Sequence, residues 1–328
     1  MLKEICITPH VFDDKNNKDY WTLLNIFLQV LSISGFVLGI NNKDWTKAVY
    51  DKIMHLDDPK VKDKLSATLS ILQNRDRIAC HPRKEGVLSG NKEDDWFGIA
   101  RELNEIRNFC KIIATQSYGG KAICVAELED IIYQEVAFTG STRILKTAEN
   151  LHKLLLPFLS YAKKAIIIDP YFYLHRVQYK ETINIVAQCL RERRGQQGIG
   201  RIVIHCKWDD KWDEDCDEQA EKYVEKYVKK YVEEWKISIR KIFSDYTHSV
   251  EIYAWKGMPG SIKLHDRYII TNQSGLVSAA GTDTDVLQQS ELSIKKYEEL
   301  NEVLSQYNEN CSPFKLKCKV TASSIEYF

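Results

Sequence analysis

From residue 141 onward, short apolar runs alternate with longer stretches in which apolar residues recur every three or four positions. Short runs of this kind are typical of buried strands, and the three-to-four spacing is typical of amphipathic helices. The spacing predicts strands at residues 165–168, 201–206, 250–255, 263–271 and 276–280, and helices at 144–162, 181–193, 217–243 and 291–307. Strands that alternate with helices favour a largely parallel or mixed sheet covered on both faces. This half of the chain is therefore predicted to have an α/β fold.

The first 140 residues follow another pattern, which is mostly helical after a short β-like run at residues 5–12. Helices are predicted at residues 21–34, 45–56, 59–72 and 95–109, and a strand-like run follows at 110–115. The sequence Asp-Asp-Pro at 57–59 is a start signal for the third of these helices, because a carboxylate can cap a helix whose first residue is proline. An α/β domain dominated by helices is predicted.

The run Phe-Thr-Gly-Ser-Thr at residues 138–142 marks the predicted boundary between the two patterns. Ser141 or Thr142 is available to cap the helix predicted after it. We therefore predict two domains, an N-terminal accessory or recognition domain at 1–140 and a second domain at 141–328.

The composition excludes some classes of protein. The 328 residues carry 46 basic and 46 acidic side chains, so no global positive field points to a nucleic-acid partner, although a local basic cleft remains compatible with one. Nine cysteines without metal-type spacing are typical of reduced thiols in the cytoplasm, and they predict neither a metal site nor a cofactor. The longest apolar patch, residues 23–40, is too short and too polar for a transmembrane segment, and the first residues lack the pattern of a signal peptide. A cytoplasmic protein is expected.

The stretch at residues 262–284 places a histidine and an arginine two positions apart on one apolar run, followed by a turn, a second apolar run and a glycine. Because side chains alternate along a strand, His265 and Arg267 are expected to point to the same face, with Asp266 on the other. An imidazole nitrogen beside a fixed cation suits attack on a phosphate, since the ring supplies a nucleophile and the guanidinium binds the non-bridging oxygens. The candidate catalytic residues are therefore His265 and Arg267.

This stretch resembles the signature of the phospholipase D superfamily, His-x-Lys-x4-Asp followed by Gly-Ser-x-Asn. The matching positions are His265 for the nucleophilic histidine, Arg267 for the lysine, Asn272 for the aspartate, Gly281 and Thr282 for the Gly-Ser pair, and Thr284 for the asparagine. Arginine keeps the charge of the lysine but changes its geometry. The asparagine cannot carry the charge of an aspartate, and the second threonine lacks an amide. The order of predicted elements across residues 143–310 is also similar to that of a phospholipase D half-domain.

The resemblance implies a metal-independent phosphodiesterase, foremost a nuclease, that needs no cofactor. In such an enzyme His265 of one chain would attack phosphorus and form a phosphohistidine, while His265 of a second chain would protonate the leaving oxygen. Since the sequence contains one such motif, the resemblance implies a homodimer with the site on its two-fold axis. It also implies a nucleic-acid partner and a role as an effector in antiviral defence. The alternative is a catalytically inactive phospholipase D-like module that binds phospholipid or a protein partner, since relatives of that kind carry similar His-Asp-Arg strands.

Further candidate site residues lie around the motif. Glu291 lies roughly where the nucleases have a glutamate that orients the histidine, and its alternative role is first-turn charge on a helix. Thr282 is expected either to donate its hydroxyl to a phosphate or to complete a turn, and Asn272 either to line the site or to close the turn at its strand end. Asp169 and Tyr171 end a predicted parallel strand, at the edge where such sheets bind ligands.

The N-terminal domain is faintly similar to PIN-like nucleases, through the run Ile-Thr-Pro-His at residues 7–10 and the later helix-to-strand segment. That fold needs clustered carboxylates to hold a metal, and Thr8 occupies the position of the first of them. The resemblance therefore implies a degenerate site, and we expect this domain to serve recognition or regulation, including contact with a protein partner.

A tyrosine repeat distinguishes the long helix predicted at residues 217–243. Tyr223, Tyr227 and Tyr231 recur every four residues and so share one slowly drifting helical face. This pattern predicts a surface helix that packs its Tyr/Val stripe on the sheet, with contact to another subunit as the alternative.

Overall fold

The structure is a computed structural model that describes residues 3–13, 15, 17–40, 44–80, 92–107, 111–120, 122–132, 141–174, 176–191, 200–208, 218–242, 249–257, 267–295 and 297–328. Its internal contacts divide the chain after Gly140 into two compact units, the N-terminal unit and the C-terminal unit. Each unit contains one sheet and several helices, and the sheet of the C-terminal unit is mixed, so the predicted α/β fold is confirmed. Within the described ranges no helix is both long and apolar enough to cross a membrane.

A parallel sheet of five strands forms the centre of the N-terminal unit, in the order β3-β2-β1-β4-β5. The strands are β1 (Lys3–Ile7), β2 (Gly35–Gly39), β3 (Ile78–Cys80), β4 (Lys111–Ala114) and β5 (Ala122–Cys124). Every residue of β2 is buried, so this strand lacks the polar alternation of a half-exposed strand. The sequence prediction missed β2 because its apolar run continues directly from the helix before it.

The helices described in the N-terminal unit are α1 (Lys18–Ser34), α2 (Asp44–Met54), α3 (Pro59–Asn74), α4 (Glu93–Arg107) and the short α5 (Leu128–Ile131). Side chains cap the first and third of these. The Asn17 side chain caps α1, and the Asp58 carboxylate accepts hydrogen bonds from the backbone N–H groups of Lys60 and Val61. The start signal predicted at residues 57–59 is therefore confirmed.

The C-terminal unit contains a mixed sheet of nine strands, in the order β14-β13-β9-β8-β7-β10-β11-β12-β6. The central strands β7, β8 and β9 are parallel, and the flanking pairs are antiparallel. The strands are β6 (Thr142–Lys146), β7 (Lys164–Ile168), β8 (Arg201–Lys207), β9 (Ser249–Lys256), β10 (Tyr268–Thr271), β11 (Gly275–Ser278), β12 (Asp285–Lys295), β13 (Lys315–Thr321) and β14 (Ile325–Tyr327). The parallel centre agrees with the alternation of strands and helices in the sequence.

The helices described in the C-terminal unit are α6 (Ala148–Leu159), α7 (Val177–Arg191), α8 (Glu218–Ile242) and α9 (Tyr297–Ser305). Helices α6 and α7 pack against each other. Helix α9 packs on the sheet, where Leu300 lies in a buried cluster with Ile168 of β7 and Tyr268 of β10. Burial of this apolar cluster fixes the helix on the sheet, because each buried side chain contributes on the order of 1.5–3 kcal/mol.

The helix predicted at residues 144–162 begins later than the sequence suggested. Residues 142–146 form β6, which pairs with β12, and α6 starts at Ala148. The cap is Thr147, whose hydroxyl accepts from the Asn150 N–H, so the prediction that Ser141 or Thr142 caps this helix is wrong. Ile144 and Leu145 continue the apolar spacing of α6 in the sequence, although in β6 Leu145 is exposed and the buried side chain is that of Lys146.

The helix predicted at residues 291–307 is also wrong in its first part. Residues 285–295 form β12, which pairs with β11 and β6, and α9 begins at Tyr297. Along β12 the side chains of Ser290 and Leu292 are buried and that of Glu291 between them is exposed, which is the two-residue period of a strand.

Helix α8 packs on the sheet in its described part, and a valine of the predicted Tyr/Val stripe lies in the contact. Val232 and Trp235 are fully buried, and α8 packs against β13. Tyr231 is half-buried, and the side chains of Tyr223 and Tyr227 lie outside the described residues. In the described part of the helix, Val232, Trp235 and Ile239 form the buried face, with Tyr231 at its edge.

A buried lysine joins β6 to the loop between β11 and β12. The Lys146 side chain is 1% exposed, and its ammonium donates to the carbonyl of Ala280 at 2.9 Å and to Oδ1 of Asp283 at 2.7 Å. A third bond runs to Oε1 of Gln288 at 2.7 Å. An ammonium taken out of water requires such acceptors, so this lysine and the loop stabilise each other.

Replacing Lys146 by methionine should lower the free energy of unfolding of the C-terminal unit by about 3 kcal/mol, because the Asp283 carboxylate loses its buried partner. The matched control is Lys153→Met on α6, which breaks an exposed pair with Glu149 whose side chains are 70% and 75% exposed. The control should cost less than about 1 kcal/mol. Urea denaturation measures both variants, and equal losses would contradict the structural role of Lys146.

Candidate functional site

The candidate site is built around a carboxylate with no solvent exposure at the end of β7. Asp169 is the first residue after this strand, and its side chain is 0% exposed. Oδ1 accepts from the Tyr171 N–H at 2.9 Å, and Oδ2 accepts from both the N–H and the hydroxyl of Thr282, at 2.9 and 2.8 Å. A buried carboxylate is stable only with such donors. The end of β7 is thereby fixed to the loop after β11.

Arg267 lies across from this carboxylate. Strands β10 and β7 are antiparallel with Tyr268 opposite Ile168, and the same register places Arg267 opposite Asp169. Its Nε lies 3.9 Å from Asp169 Oδ1, and its Nη1 donates to the Ala279 carbonyl at 3.2 Å. The guanidinium carbon lies 5.6 Å from the centre of the Tyr171 ring, within range of a cation–π contact. Three separate groups therefore fix the orientation of this arginine.

The loop from Ala279 to Thr284 takes its shape from glycine. Gly281 has a φ of +96°, a backbone conformation that residues with a Cβ rarely adopt. A Cβ at this position would lie 2.5 Å from Asp283 Oδ1. On the other side of the loop, the Thr182 hydroxyl of α7 donates to the Thr282 carbonyl at 2.8 Å. The backbone of the loop is thus held from the sheet and from a helix.

The structure brings together four of the residues that the sequence selected, namely Arg267, Asp169, Thr282 and Tyr171. The predicted nucleophile His265 and its neighbour Asp266 lie outside the described residues. The two threonines of the predicted motif form hydrogen bonds within the protein. The Thr282 hydroxyl donates to Asp169, and the Thr284 hydroxyl donates to Glu181 of α7.

Of the two remaining predicted residues, Glu291 borders the loop through its carbonyl, which accepts from the Ala279 N–H at 3.1 Å, and Asn272 lies elsewhere. Asn272 is in the turn between β10 and β11, where its Oδ1 accepts from the Lys163 N–H at 2.8 Å, next to the start of β7. This bond links the β10–β11 turn to the residue before β7, at the opposite end of β7 from Asp169. The Glu291 side chain is exposed on β12, so its alternative role as first-turn charge on a helix is wrong.

His205 on β8 is also followed two positions later by a basic residue, Lys207, but it belongs to the core. Its Nδ1 accepts from Trp255 Nε1 at 3.0 Å, and its ring stacks on Tyr253 at 5.2 Å. Burial lowers the pKa of His205 to about 3, and the positive charge of Lys164 adds to this effect. The ring is therefore neutral at physiological pH and serves packing.

Sequence reasoning missed several residues that position the site. Thr182 and Glu181 hold the loop from α7, and Lys146 holds it from β6. Tyr179 is buried close to the same charges, and burial, reinforced by the negative charge of Asp169, raises its pKa above the usual range. No local pattern marks these residues, since each acts through a partner that is distant in sequence.

The region of the N-terminal unit where the PIN-like resemblance implied a degenerate site holds a cluster around Glu93. Thr8 follows β1, and its hydroxyl donates to Glu93 Oε1 at 2.7 Å, which also accepts from the Thr115 N–H at 2.9 Å. His10 Nδ1 lies 3.3 Å from Glu93 Oε2. Among the described residues of either unit, no group of three or more histidines, cysteines and carboxylates is arranged to hold a metal ion.

The sequence matches no protein-family model and no curated relative. Among solved structures, a similarity is found to TrmBL2, an archaeal chromatin protein described as showing a novel mode of DNA binding. The match covers 68% of this chain and 68% of that chain, with 12% sequence identity and a TM-score of 0.26. A TM-score this low carries no argument about the fold or the function of this chain.

Gly281→Ala should destabilise the C-terminal unit by about 2 kcal/mol, because the new Cβ combines a strained φ with a close approach to Asp283. Gly257→Ala is the control, since a Cβ there meets no heavy atom of the described residues within 4 Å. Denaturant titrations of both variants test this expectation, and a neutral effect of Gly281→Ala would show that the loop adapts.

Proposed function

We propose that this protein is a metal-independent phosphodiesterase that cleaves nucleic acid, with His265 as the nucleophile. The observation that carries the proposal is the Arg267 guanidinium, which is oriented by Asp169, the Ala279 carbonyl and the Tyr171 ring at the carboxyl end of β7. An oriented guanidinium two residues after a histidine suits the binding and attack of a phosphodiester.

The proposed reaction has two steps. A nitrogen of His265 attacks phosphorus, and the bond to the leaving oxygen breaks while the second chain's His265 gives that oxygen a proton. Water, deprotonated by this second histidine, then attacks phosphorus and breaks the phosphorus–nitrogen bond. The arginines stabilise the charge that develops on the non-bridging oxygens. Two histidines are needed, so the active species is proposed to be a homodimer.

The surroundings of Arg267 support nucleic acid as the substrate. The Tyr171 ring is 45% exposed beside the guanidinium, and exposed aromatic rings next to cations bind unpaired bases by stacking. In the described part of the chain no acceptor binds Nη2 of Arg267, which leaves a donor for a phosphate oxygen. We further propose a cytoplasmic location, a role in antiviral defence and a recognition role for the N-terminal unit.

A second candidate function is a catalytically inactive module that binds phospholipid or a protein. Two observations favour it. Both donors of Thr282 are engaged by Asp169, so they are not offered to a phosphate. In addition, exposed aliphatic side chains lie on the segments that flank the loop, with Val177 74% and Leu287 91% exposed. Such a surface fits binding without turnover.

If the proposed site performs the cleavage, phosphodiester hydrolysis should survive an excess of EDTA, because histidine and arginine supply the acid–base chemistry and the charge. Assays on single- and double-stranded DNA and RNA, with and without chelator, measure this. Activity that depends on magnesium or manganese would place the chemistry at another site.

Arg267→Ala should reduce kcat/KM by at least about 30-fold, or roughly 2 kcal/mol of transition-state stabilisation, whereas Arg267→Lys should retain activity. Arg101→Ala removes an exposed arginine from α4 and controls for net charge. An equal loss of kcat/KM in Arg101→Ala and in Arg267→Ala would contradict a specific role of Arg267 in catalysis. Absence of cleavage, together with Arg267-dependent binding to anionic vesicles, would favour the second candidate.

His265→Ala should abolish turnover while the protein still folds and dimerises, because the proposed role of the ring is chemical. Mixed dimers of wild-type and variant chains should also be nearly inactive, since each turnover uses one histidine as nucleophile and the other as acid. Co-purified heterodimers that cleave at about half the wild-type rate would show that each chain works alone. Light scattering gives the oligomeric state of each sample.

A further inference from the structure

A groove with a volume of about 260 Å³ lies between the first halves of α1 and α3 in the N-terminal unit. Trp21 and Leu65 are among its lining residues and are themselves buried, so they form its apolar floor. Lys18, Lys60 and Lys64 also line it and are exposed. The groove therefore combines an apolar floor with a basic rim.

The two helices run in parallel and in register. Thr68 of α3 donates to Asn25 of α1 at 2.7 Å, and Arg75 donates to Ser32 at 3.5 Å, each pair being separated by 43 residues. This constant separation places the two helix N-termini side by side at one end of the groove. The positive ends of both helix dipoles then add to the charge of the lysines.

The basic rim is not neutralised within the unit. Among the described residues, no carboxylate forms an ion pair with Lys18, Lys60 or Lys64. The lining contains one carboxylate, that of Asp58, which already accepts hydrogen bonds from the backbone N–H groups of Lys60 and Val61. The groove is thus complementary to an acidic occupant.

The rims become aliphatic toward the other end of the helices. Ile26 and Ile33 of α1 are 42% and 41% exposed, and Ile71 of α3 is 43% exposed. Ile33 follows Ile26 by seven residues, and Ile71 follows Lys64 by seven, so both continue the same helical faces. The whole strip is roughly 22 Å long, which is the length of about 15 helical residues.

We propose that this strip docks an amphipathic helix of a partner protein. The occupant packs an aliphatic stripe on the groove and the isoleucines, and it places carboxylates at the end that meets the three lysines. A flat bilayer cannot fill a concave groove, and the aromatic ring of the lining, Trp21, is 6% exposed and offers no face for stacking a base. The proposal is independent of the proposed cleavage, since it uses the N-terminal unit alone.

The test is a selection on the full chain with displayed 16-residue helices, a length that matches about 15 helical residues. The library fixes a leucine stripe at helical spacing and randomises the flanking positions among glutamate, glutamine and lysine. Each round is counter-selected with the double variant Lys60→Glu/Lys64→Glu. Glutamate at position 60 is favourable in the first turn of α3, and Lys64 is exposed in the next turn, so this variant should keep its fold, as circular dichroism checks.

Enrichment of glutamate at one end of the selected helices is expected. A selected peptide should bind the double variant at least about tenfold more weakly by fluorescence anisotropy, which corresponds to about 1.4 kcal/mol. Lys47 is an exposed lysine of α2 outside the groove, and the control Lys47→Glu should leave the affinity for the peptide unchanged. Replacing the glutamates of the peptide by lysine should restore its binding to the double variant. Selected helices with neutral or basic ends, or no enrichment at all, would overturn the proposal. The proposal would also fail if the groove lysines were needed for binding to phosphatidylserine vesicles or a single-stranded oligonucleotide while no helix bound.

Discussion

The burial of one negative charge organises the C-terminal unit. Asp169 is excluded from water, and an uncompensated carboxylate in that position would cost several kcal/mol. The chain meets this requirement with the Tyr171 amide, both donors of Thr282 and the nearby cation of Arg267. These partners come from three separate segments, so a single electrostatic requirement brings together the end of β7, the start of β10 and the loop before β12.

A second buried charge, of opposite sign, acts on the same loop. Lys146 binds the Ala280 carbonyl and the Asp283 carboxylate, while Thr282 between them turns toward Asp169. The loop is held from both sides by buried ions, and glycine at position 281 lets the backbone satisfy both. The orientation of the candidate arginine therefore depends on a lysine that lies far from it in sequence, on the strand at the edge of the sheet.

Functionally, the C-terminal unit presents an oriented cation beside an exposed ring, whereas the N-terminal unit presents a basic and aliphatic groove between two parallel helices. The proposed chemistry at the first and the proposed recognition at the second require different properties. A reacting phosphate needs a fixed guanidinium, and a partner helix needs an apolar floor with charge at its rim. The rigid support of Arg267 and the unneutralised lysines of the groove meet these separate needs.

The sequence by itself determined the α/β class, the parallel strands β7 to β9 and the residues Arg267, Asp169, Thr282 and Tyr171, because apolar periodicity and short motifs are local properties. Only the tertiary structure decided that residues 142–146 and 285–295 form strands, since the two segments pair with each other across a long separation in sequence. It also decided which side chains serve the site. The partners of a buried charge are chosen by proximity in the folded chain, and no spacing along the sequence records that proximity.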